Sequence, residues 1–304
     1  MSLMLYRFPF RAMGSPCEVQ LYSDVKRHAQ FVSDQAMADV WRIEARYSRY
    51  REDSVLSGIN RAAARGGVVA VDEETAALLN YANTCYQQSE GLFDITSGVL
   101  RQAWDFKSQK IPKKAVINKL LSGVGWDKVQ LSAAQIRFKC PGMQLDFGGI
   151  AKEYAVDRAE AICRKQGIEY GLVDLGGDIK IIGPHADGRP WSVGLRHPRK
   201  PGALLATVMV YAGAVATSGD YERCIVVKGQ RYSHVLNPKT GWPVNGLVGV
   251  TVFAEQCVIA GSACTIAMLM ENLGKQWLDE LGLQHLWIDM QGEVGGQLCQ
   301  PEGE

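Results

Sequence analysis

The sequence predicts an α+β protein, in which antiparallel sheets pack with flanking and buried helices, as one compact domain over residues 1–304. Strand-like and helix-like runs are interleaved without the regular strand–helix–strand order of a parallel sheet. Helical patterns dominate the first third of the chain, and strand patterns become common after Trp126. No proline- or serine-rich linker, low-complexity tract or fixed-period repeat divides the chain, so we expect a single unit.

The amino-terminal elements follow from the periodicity of apolar residues. Residues 17–22 alternate apolar and polar side chains, as in a half-buried strand. Apolar residues then recur every three or four positions from Val32 to Tyr47, which predicts an amphipathic helix. A second helix is expected after Asp72, because aspartate caps helices well, and Gly91 is expected to end it in a left-handed turn.

The later elements are mostly strands. Strand patterns occur in "QIRFKC", "LVGVTVFA" and "HLWIDM", and a hairpin is expected around Lys228–Gly229. The run from Val258 to Leu273 is apolar nearly all round. We therefore expect it to form a buried helix that Gly274 ends.

The composition excludes several classes of partner and site. The chain is 47% hydrophobic and 21% charged, as in ordinary globular proteins, and its net charge is +1 without a run of Lys or Arg. We therefore expect no nucleic-acid partner and, without a long apolar stretch, no membrane insertion. Eight scattered cysteines without C-x-x-C spacing favour reduced core thiols over zinc sites or disulfides. The start of the chain predicts a cytoplasmic protein, or a periplasmic one if a signal peptide has been trimmed.

Two glycine pairs, Gly148–Gly149 and Gly176–Gly177, each lie beside a carboxylate. A helical pattern runs from Lys152 to Gly167, so the first pair precedes the amino end of a helix, where backbone N–H groups and the dipole favour an anion. Glycine also allows a phosphate to approach the backbone closely. Alternatively, both pairs only form turns between elements.

Eight segments, in order, resemble the FAD:protein FMN transferases, the ApbE family formerly described as thiamine biosynthesis lipoproteins. They are "MGSPCEV", "SRYREDSVLSGIN", "EGLFDITSGVL", "LDFGGIAKEYAVDRA", "DLGGDIKIIG", "ATSGDYER", "SHVLNPKTGWPV" and "AGSACTIAMLM", and they extend from about Met13 to about Leu273. The resemblance implies a bacterial flavoprotein enzyme that binds FAD, uses Mg²⁺ and joins FMN through a phosphodiester to a threonine hydroxyl of an acceptor protein. AMP is the second product, and the result is post-translational flavinylation.

The resemblance also implies roles for individual residues. The residues expected to bind FAD are Met13, Tyr50, Phe93, Asp94, Gly148, Gly149, Lys152, Asp178, Thr217, Ser218, Gly219 and Asp220. The expected metal ligands are the Ala151 carbonyl and Thr265. His234 matches the histidine of the family's H-x-x-D-P-x-T-G motif and is the expected catalytic base, because histidine exchanges protons near neutral pH.

Some of these residues have an equally simple structural interpretation. Phe93 is also typical of a core aromatic. Asp94 and Asp178 are also residue types that cap turns, and residues 217–220 are also typical of a hydroxyl-rich turn. For His234 the alternative is a hydrogen bond within a hairpin.

Two positions depart from the family's pattern. Asn237 replaces the aspartate of the H-x-x-D-P motif; it keeps the hydrogen-bonding shape of the turn but loses the charge. Gly261 stands where the family normally has a metal-binding aspartate, and a cation such as Mg²⁺ needs oxygen ligands that glycine lacks. Glu153, where the family often has glycine, is a candidate for the missing carboxylate.

These departures leave two alternatives to transfer open. One is an FAD-binding protein with weak or no activity, and the other is an FAD pyrophosphatase that yields FMN and AMP. An unrelated hydrolase is disfavoured, because the sequence contains neither a G-x-S-x-G nor an H-E-x-x-H motif.

Overall fold

The computed structural model describes residues 2–106, 108, 110–221 and 224–299. The α-helices, α1 to α7, span Lys26–Tyr47, Val55–Arg65, Glu73–Gln88, Lys114–Leu121, Ala151–Lys165, Cys257–Leu269 and Leu273–Leu281. The strands, β1 to β15, span Met4–Ala12, Ser15–Ser23, Val68–Ala70, Val129–Leu131, Gln135–Phe138, Gly171–Leu175, Asp178–Gly183, Trp191–Arg196, Leu204–Val210, Gly213–Gly219, Cys224–Val227, Gln230–Ser233, Leu247–Ala254, His285–Asp289 and Val294–Gly295. Short 3₁₀ helices span Ile95–Gln102, Trp126–Lys128 and Gln297–Cys299. The predicted α+β class is confirmed.

An eight-stranded antiparallel sheet organises the fold, in the order β1-β2-β6-β7-β10-β13-β14-β15. Successive side chains on a strand point to opposite faces of the sheet. On β10, Ala214 and Ala216 belong to the core under α1, α5 and α6, whereas Val215 belongs to a second core under the β8–β9 hairpin. Both faces of the central strands are therefore buried, which explains why the β13 sequence is apolar almost throughout.

Besides the two-stranded β8–β9 sheet, two smaller sheets accompany the large one in the described part of the chain. Strands β3, β5 and β4 form one of them, and β11 pairs with β12 to form the other. The β11–β12 turn is made by Lys228 and Gly229, with φ angles of 51° and 79°. Two positive φ angles in a two-residue loop match the twist of a hairpin, so the hairpin predicted at this place is confirmed.

The predicted helices α1, α3 and α5 are confirmed. Helix α1 buries Val32 and Tyr47 against the core. Asp72 caps α3, since its carboxylate accepts a hydrogen bond from the Thr75 N–H at 2.9 Å. Gly91, with φ of 82°, turns the chain away after this helix, and its N–H donates to the Tyr86 carbonyl.

The expected single helix from Val258 to Leu273 is wrong. Helix α6 ends at Leu269, and Gly274 lies inside a separate helix, α7, instead of ending α6. A Cβ atom on Gly274 would overlap the carbonyl oxygen of Ala267. This glycine therefore allows α7 to pack closely on α6. In the sequence, a glycine needed for close packing cannot be distinguished from a glycine that ends a helix. Strand β1 was also not predicted.

None of the helices in the described ranges is both long enough and apolar enough to span a lipid bilayer.

Candidate functional site

One end of the eight-stranded sheet gathers much of the predicted site. The register pairs Cys17 with Leu175 and Val215 with Ile179, so the β1–β2 turn, the β6–β7 turn and the carboxyl end of β10 lie at the same end. The first turn contains Met13, with φ of 53°. Lys152, at the amino end of α5, contacts Asp178 at this end of the sheet, and Thr265 of α6 contacts Ser218 of β10.

The turn that leads into α5 is in close contact with its surroundings. A Cβ atom on Gly149 would lie 3.2 Å from Phe93 Cζ and 3.8 Å from Thr265 Cγ2. Phe93 is buried in the main core, as its structural interpretation requires, but its ring edge also borders the glycine turn. The Asp146 carboxylate accepts a hydrogen bond from the Gly148 N–H at 2.9 Å, which fixes the turn.

A buried ion pair joins α5 to the sheet. Lys152 Nζ lies 2.7 Å from Asp178 Oδ2, and the Asp178 side chain is 2% exposed. The other oxygen of Asp178 accepts a hydrogen bond from the Thr217 N–H at 3.3 Å. Asp178 therefore connects the β6–β7 turn, β10 and α5, and it does more than cap a turn.

Hydroxyl groups line the adjoining end of β10. The hydroxyls of Ser218 and Thr265 lie 3.3 Å apart, and those of Thr217 and Thr251 lie 2.9 Å apart. We refer to the residues in mutual contact here as the sheet-end cluster: Gly149, Lys152, Asp178, Thr217, Ser218 and Thr265. The structure thus brings together residues from four separate segments of the chain.

Glu153 lies next to this cluster, one residue beyond Lys152 on α5. It is 7% exposed, and its Oε2 has no hydrogen-bond partner among the described residues. Burial, and secondly the negative charge of Asp178, raise the pKa of Glu153 above the usual glutamate value. A Cβ atom on Gly261 would lie 3.0 Å from Glu153 Cδ and closer still to its Cγ. The glutamate therefore occupies the space that a side chain at position 261 would need.

Helices α5 and α6 meet in a regular antiparallel arrangement. Asp157 on α5 caps α6, since its carboxylate accepts hydrogen bonds from the N–H groups of Cys257 at 2.8 Å and Val258 at 2.9 Å. One turn earlier on α5, Glu153 meets Gly261. The Asp157 cap, which the sequence interpretation missed, therefore fixes the position of α5 along α6 and places Glu153 beside Gly261.

Other predicted residues have partners of their own. Both Asp94 oxygens are used within the protein, because they accept hydrogen bonds from Thr96 and from the Trp126 N–H. Asp94 therefore has the capping role considered for it, and contact with FAD stays a prediction. Asp220 accepts a two-pronged ion pair from Arg199, with both N···O distances at 2.6 Å. Arg199 lies in a loop without a recognisable motif, so the sequence interpretation could not find it.

Tyr50 lies at the border of the site, and the role of His234 as the catalytic base stays a prediction. Tyr50 is 75% exposed, and the Arg49 guanidinium stacks 4.8 Å from the centre of its ring. Arg49 also forms an ion pair with Asp146, whose carboxylate accepts the hydrogen bond from the Gly148 N–H in the glycine turn. His234 is half-buried and directly follows β12, in the hairpin that continues from the end of β10.

Asn237 preserves the turn that an aspartate would make. Its side-chain oxygen accepts hydrogen bonds from the N–H groups of Lys239 at 2.9 Å and Thr240 at 3.2 Å. An aspartate would accept the same two bonds. The departure at this position therefore changes the charge and keeps the local structure.

The residues present suit a divalent cation in part. The described residues contain no group of three or more His, Cys, Asp or Glu side chains that could hold a metal ion. Mg²⁺, however, needs only one or two carboxylates and completes its shell with other oxygens. Glu153 supplies a buried carboxylate oxygen that accepts no hydrogen bond from the residues the structure describes, and the Thr265 hydroxyl and the Ala151 carbonyl are on the neighbouring turns of α6 and α5.

Comparison with known proteins identifies the family. A sequence model of the ApbE family matches residues 13–287. The FAD:protein FMN transferase of Rhodobacter capsulatus is 34% identical over 69% of this chain, although the match spans only 41% of that protein. The corresponding enzyme of Chlamydia pneumoniae is 32% identical over 79% of this chain and 77% of its own length.

Solved structures agree with the sequence comparison. The ApbE protein of Thermotoga maritima superimposes with a TM-score of 0.89 at 31% identity, over 96% of this chain and 97% of that one. The flavin transferase ApbE of Vibrio cholerae gives a TM-score of 0.86 at 25% identity, over 97% and 96% of the two chains. A match over residues 13–287 and a shared fold at this level of identity lead to one assignment: the chain belongs to the ApbE family.

Proposed function

We propose that this protein is an FAD:protein FMN transferase, which moves FMN from FAD to a threonine hydroxyl of an acceptor protein and releases AMP. The observation that carries the proposal is the sheet-end cluster, in which a glycine turn, a half-buried lysine and several hydroxyls meet at one end of the sheet. Relatives of this chain are named for the same activity.

FAD needs a site for its pyrophosphate and a wall for its flat ring. We assign the pyrophosphate to the amino end of α5, where Gly148 and Gly149 expose the backbone and Lys152 supplies a positive charge. The Ser218 hydroxyl, on the α6 side of β10, is a suitable donor to phosphate oxygens, and the Thr217 hydroxyl, which lies beside Thr251 on the other side of the strand, is a suitable donor to another part of the ligand. The exposed ring of Tyr50 is suited to stacking on an aromatic ligand.

In the transfer step the acceptor threonine oxygen bonds to the FMN phosphorus, and the bond from that phosphorus to the bridging oxygen breaks. AMP leaves with the bridging oxygen. We assign His234 as the base that removes the threonine proton, an effect worth about 10²- to 10⁴-fold in rate. A divalent cation, which we propose to be Mg²⁺, supplies charge neutralisation at the pyrophosphate. Lys152 orients the same phosphate group.

The test is an incubation of the protein with FAD, Mg²⁺ and an acceptor domain that carries the target threonine. We expect the acceptor to gain the mass of FMN less water, with AMP formed in equal amount, and we expect His234→Asn to slow this reaction by at least about 10²-fold. Arg189→Ala is the matched control, because Arg189 is exposed and, among the described residues, forms its ion pair with the nearby Asp187. Absence of both products from the wild-type reaction would overturn the proposal.

The same incubation without an acceptor separates the two alternatives. Release of FMN and AMP at a comparable rate would identify an FAD pyrophosphatase, in which water replaces threonine. Tight FAD binding without either reaction would identify a non-catalytic FAD-binding protein.

A further inference from the structure

The strongest unexplained feature is the packing of Glu153 over Gly261. Glycine in a buried helix lowers helix stability by up to about 1 kcal/mol relative to alanine, so a glycine in the middle of α6 needs a reason. The reason is on α5, because the Glu153 side chain fills the space into which a residue at 261 would extend. Gly261 is thus required by Glu153.

Burial of a carboxylate needs a compensating partner. The Glu153 side chain lies beside a second buried carboxylate, Asp178, and Lys152 Nζ is 2.7 Å from Asp178. Glu153 Oε2 is inaccessible to water and accepts no hydrogen bond from the described residues. Lys152 already pairs with Asp178, so an ionised Glu153 adds a negative charge that this ion pair does not balance. A bound cation would balance that charge.

The neighbouring oxygens lie within about one helical turn of Glu153 along the two helices. Gly149 meets Thr265, Glu153 meets Gly261, and Asp157 caps the start of α6, so each step of four residues on α5 matches a step of four on α6. Thr265 is therefore one turn from Gly261 on the same face of α6. Its hydroxyl, 3.3 Å from that of Ser218, faces the sheet-end cluster.

We propose that Glu153, on α5, is the carboxylate ligand of a divalent cation and supplies from the opposite helix the oxygen that position 261 on α6 does not provide. The Thr265 hydroxyl and the Ala151 carbonyl complete the set of protein oxygens, and water and phosphate oxygens fill the remaining positions, as is usual for Mg²⁺. The proposal rests on the proposed function in one respect only, that FAD phosphates contribute ligands.

The test measures cation binding directly. Purified protein saturated with FAD is titrated with Mn²⁺, and free Mn²⁺ is followed by electron paramagnetic resonance. We expect Glu153→Gln to weaken Mn²⁺ binding by more than about tenfold, since loss of even an outer-shell partner of a metal costs about 10- to 100-fold. FAD affinity measured without a cation should remain within about twofold of wild type. Glu160→Gln is the matched control, because Glu160 is also buried on α5 but pairs with Arg164.

A second pair of variants moves the carboxylate between the helices. Gly261→Asp alone should lower the melting temperature, because the new side chain collides with Glu153 and adds a third carboxylate. Glu153→Gly combined with Gly261→Asp should recover both the melting temperature and the Mn²⁺ affinity. Recovery of affinity by the double variant would exclude a general packing defect as the cause of the loss in Glu153→Gln.

Two outcomes would overturn the proposal: unchanged Mn²⁺ affinity in Glu153→Gln, or no Mn²⁺ binding by the wild-type complex with FAD. Failure of the proposed function gives a different result, because Mn²⁺ would then bind through Glu153 while no FMN reached the acceptor.

Discussion

The ion pair between Lys152 and Asp178 allows a quantitative test of how the site is held together. The Asp178 side chain is 2% exposed, and its partner Lys152 is 23% exposed. Lys152→Met keeps most of the apolar part of the side chain but removes the charge, which leaves the buried Asp178 carboxylate with the hydrogen bond from the Thr217 N–H at 3.3 Å. Breaking a fully buried pair costs about 3–5 kcal/mol. Because water reaches part of Lys152, we expect a loss of about 2–3 kcal/mol in the free energy of unfolding.

The assay is urea unfolding followed by tryptophan fluorescence and circular dichroism, which must give coincident transitions for the free energies to be comparable. The double variant Lys152→Met with Asp178→Asn removes both charges and should recover more than half of the loss. A loss below about 0.5 kcal/mol in Lys152→Met, the range of ordinary surface substitutions, would refute the view that this pair is a buried structural link.

Three further changes test other parts of the structure. Hydrogen bonds from Arg42 keep the pKa of Glu74 below its usual value of 4.5, so this carboxylate stabilises the fold above pH 4.5 and the contribution disappears as the pH falls through the lower folded pKa. Glu74→Gln should therefore flatten the acid side of a plot of melting temperature against pH. Arg199→Ala leaves the buried Asp220 unpaired and should lower the free energy of unfolding by about 1–2 kcal/mol, after allowance for the partial exposure of Arg199, and weaken FAD binding in a fluorescence titration. Asn237→Asp keeps both turn hydrogen bonds and should change the free energy of unfolding by less than about 0.5 kcal/mol, measured by urea unfolding.

Each of these results has a contrary outcome. Glu73→Gln, an exposed neighbour in the same helix turn, is the control for Glu74→Gln, and equal pH profiles for the two variants would contradict the role of the Arg42 hydrogen bonds. Arg189→Ala is the control for Arg199→Ala, and equal stability in that pair would contradict a structural role for the Asp220 pair. Loss of more than about 2 kcal/mol in Asn237→Asp would contradict the assigned turn.

The local parts of this fold were predictable from sequence, because their causes are local. The period of apolar residues and the Asp72 cap define α3, and two adjacent positive-φ positions at Lys228–Gly229 define a hairpin. The order of sequence segments also pointed to the family. The residues of the sheet-end cluster lie within those segments, so the sequence is sufficient to predict them.

The remaining features depend on contacts between distant segments. Gly274 allows α7 to approach α6, but its sequence context is that of a helix stop, so the expected boundary was wrong. The ion pair between Arg199 and Asp220 depends on how the loop that contains Arg199 folds, so the sequence alone does not indicate it. The Asp157 cap on α6 likewise joins two helices whose sequences carry no sign of the pairing. Such contacts are set by tertiary packing, which the periodicity of a single segment does not contain.

The Glu153 side chain fills the space beside Gly261, and this packing affects how related proteins should be classified. In a sequence alignment, Glu153 on α5 and Gly261 on α6 fall in separate columns and are counted as two unrelated departures from the family's pattern. Considered alone, the glycine suggests an inactive enzyme. If Glu153 is the cation ligand proposed above, the two departures compensate each other, because the carboxylate on α5 fills the space that a side chain at position 261 would need. Homologues without the acid on the later helix should therefore be inspected for one on the earlier helix before they are set aside as pseudoenzymes.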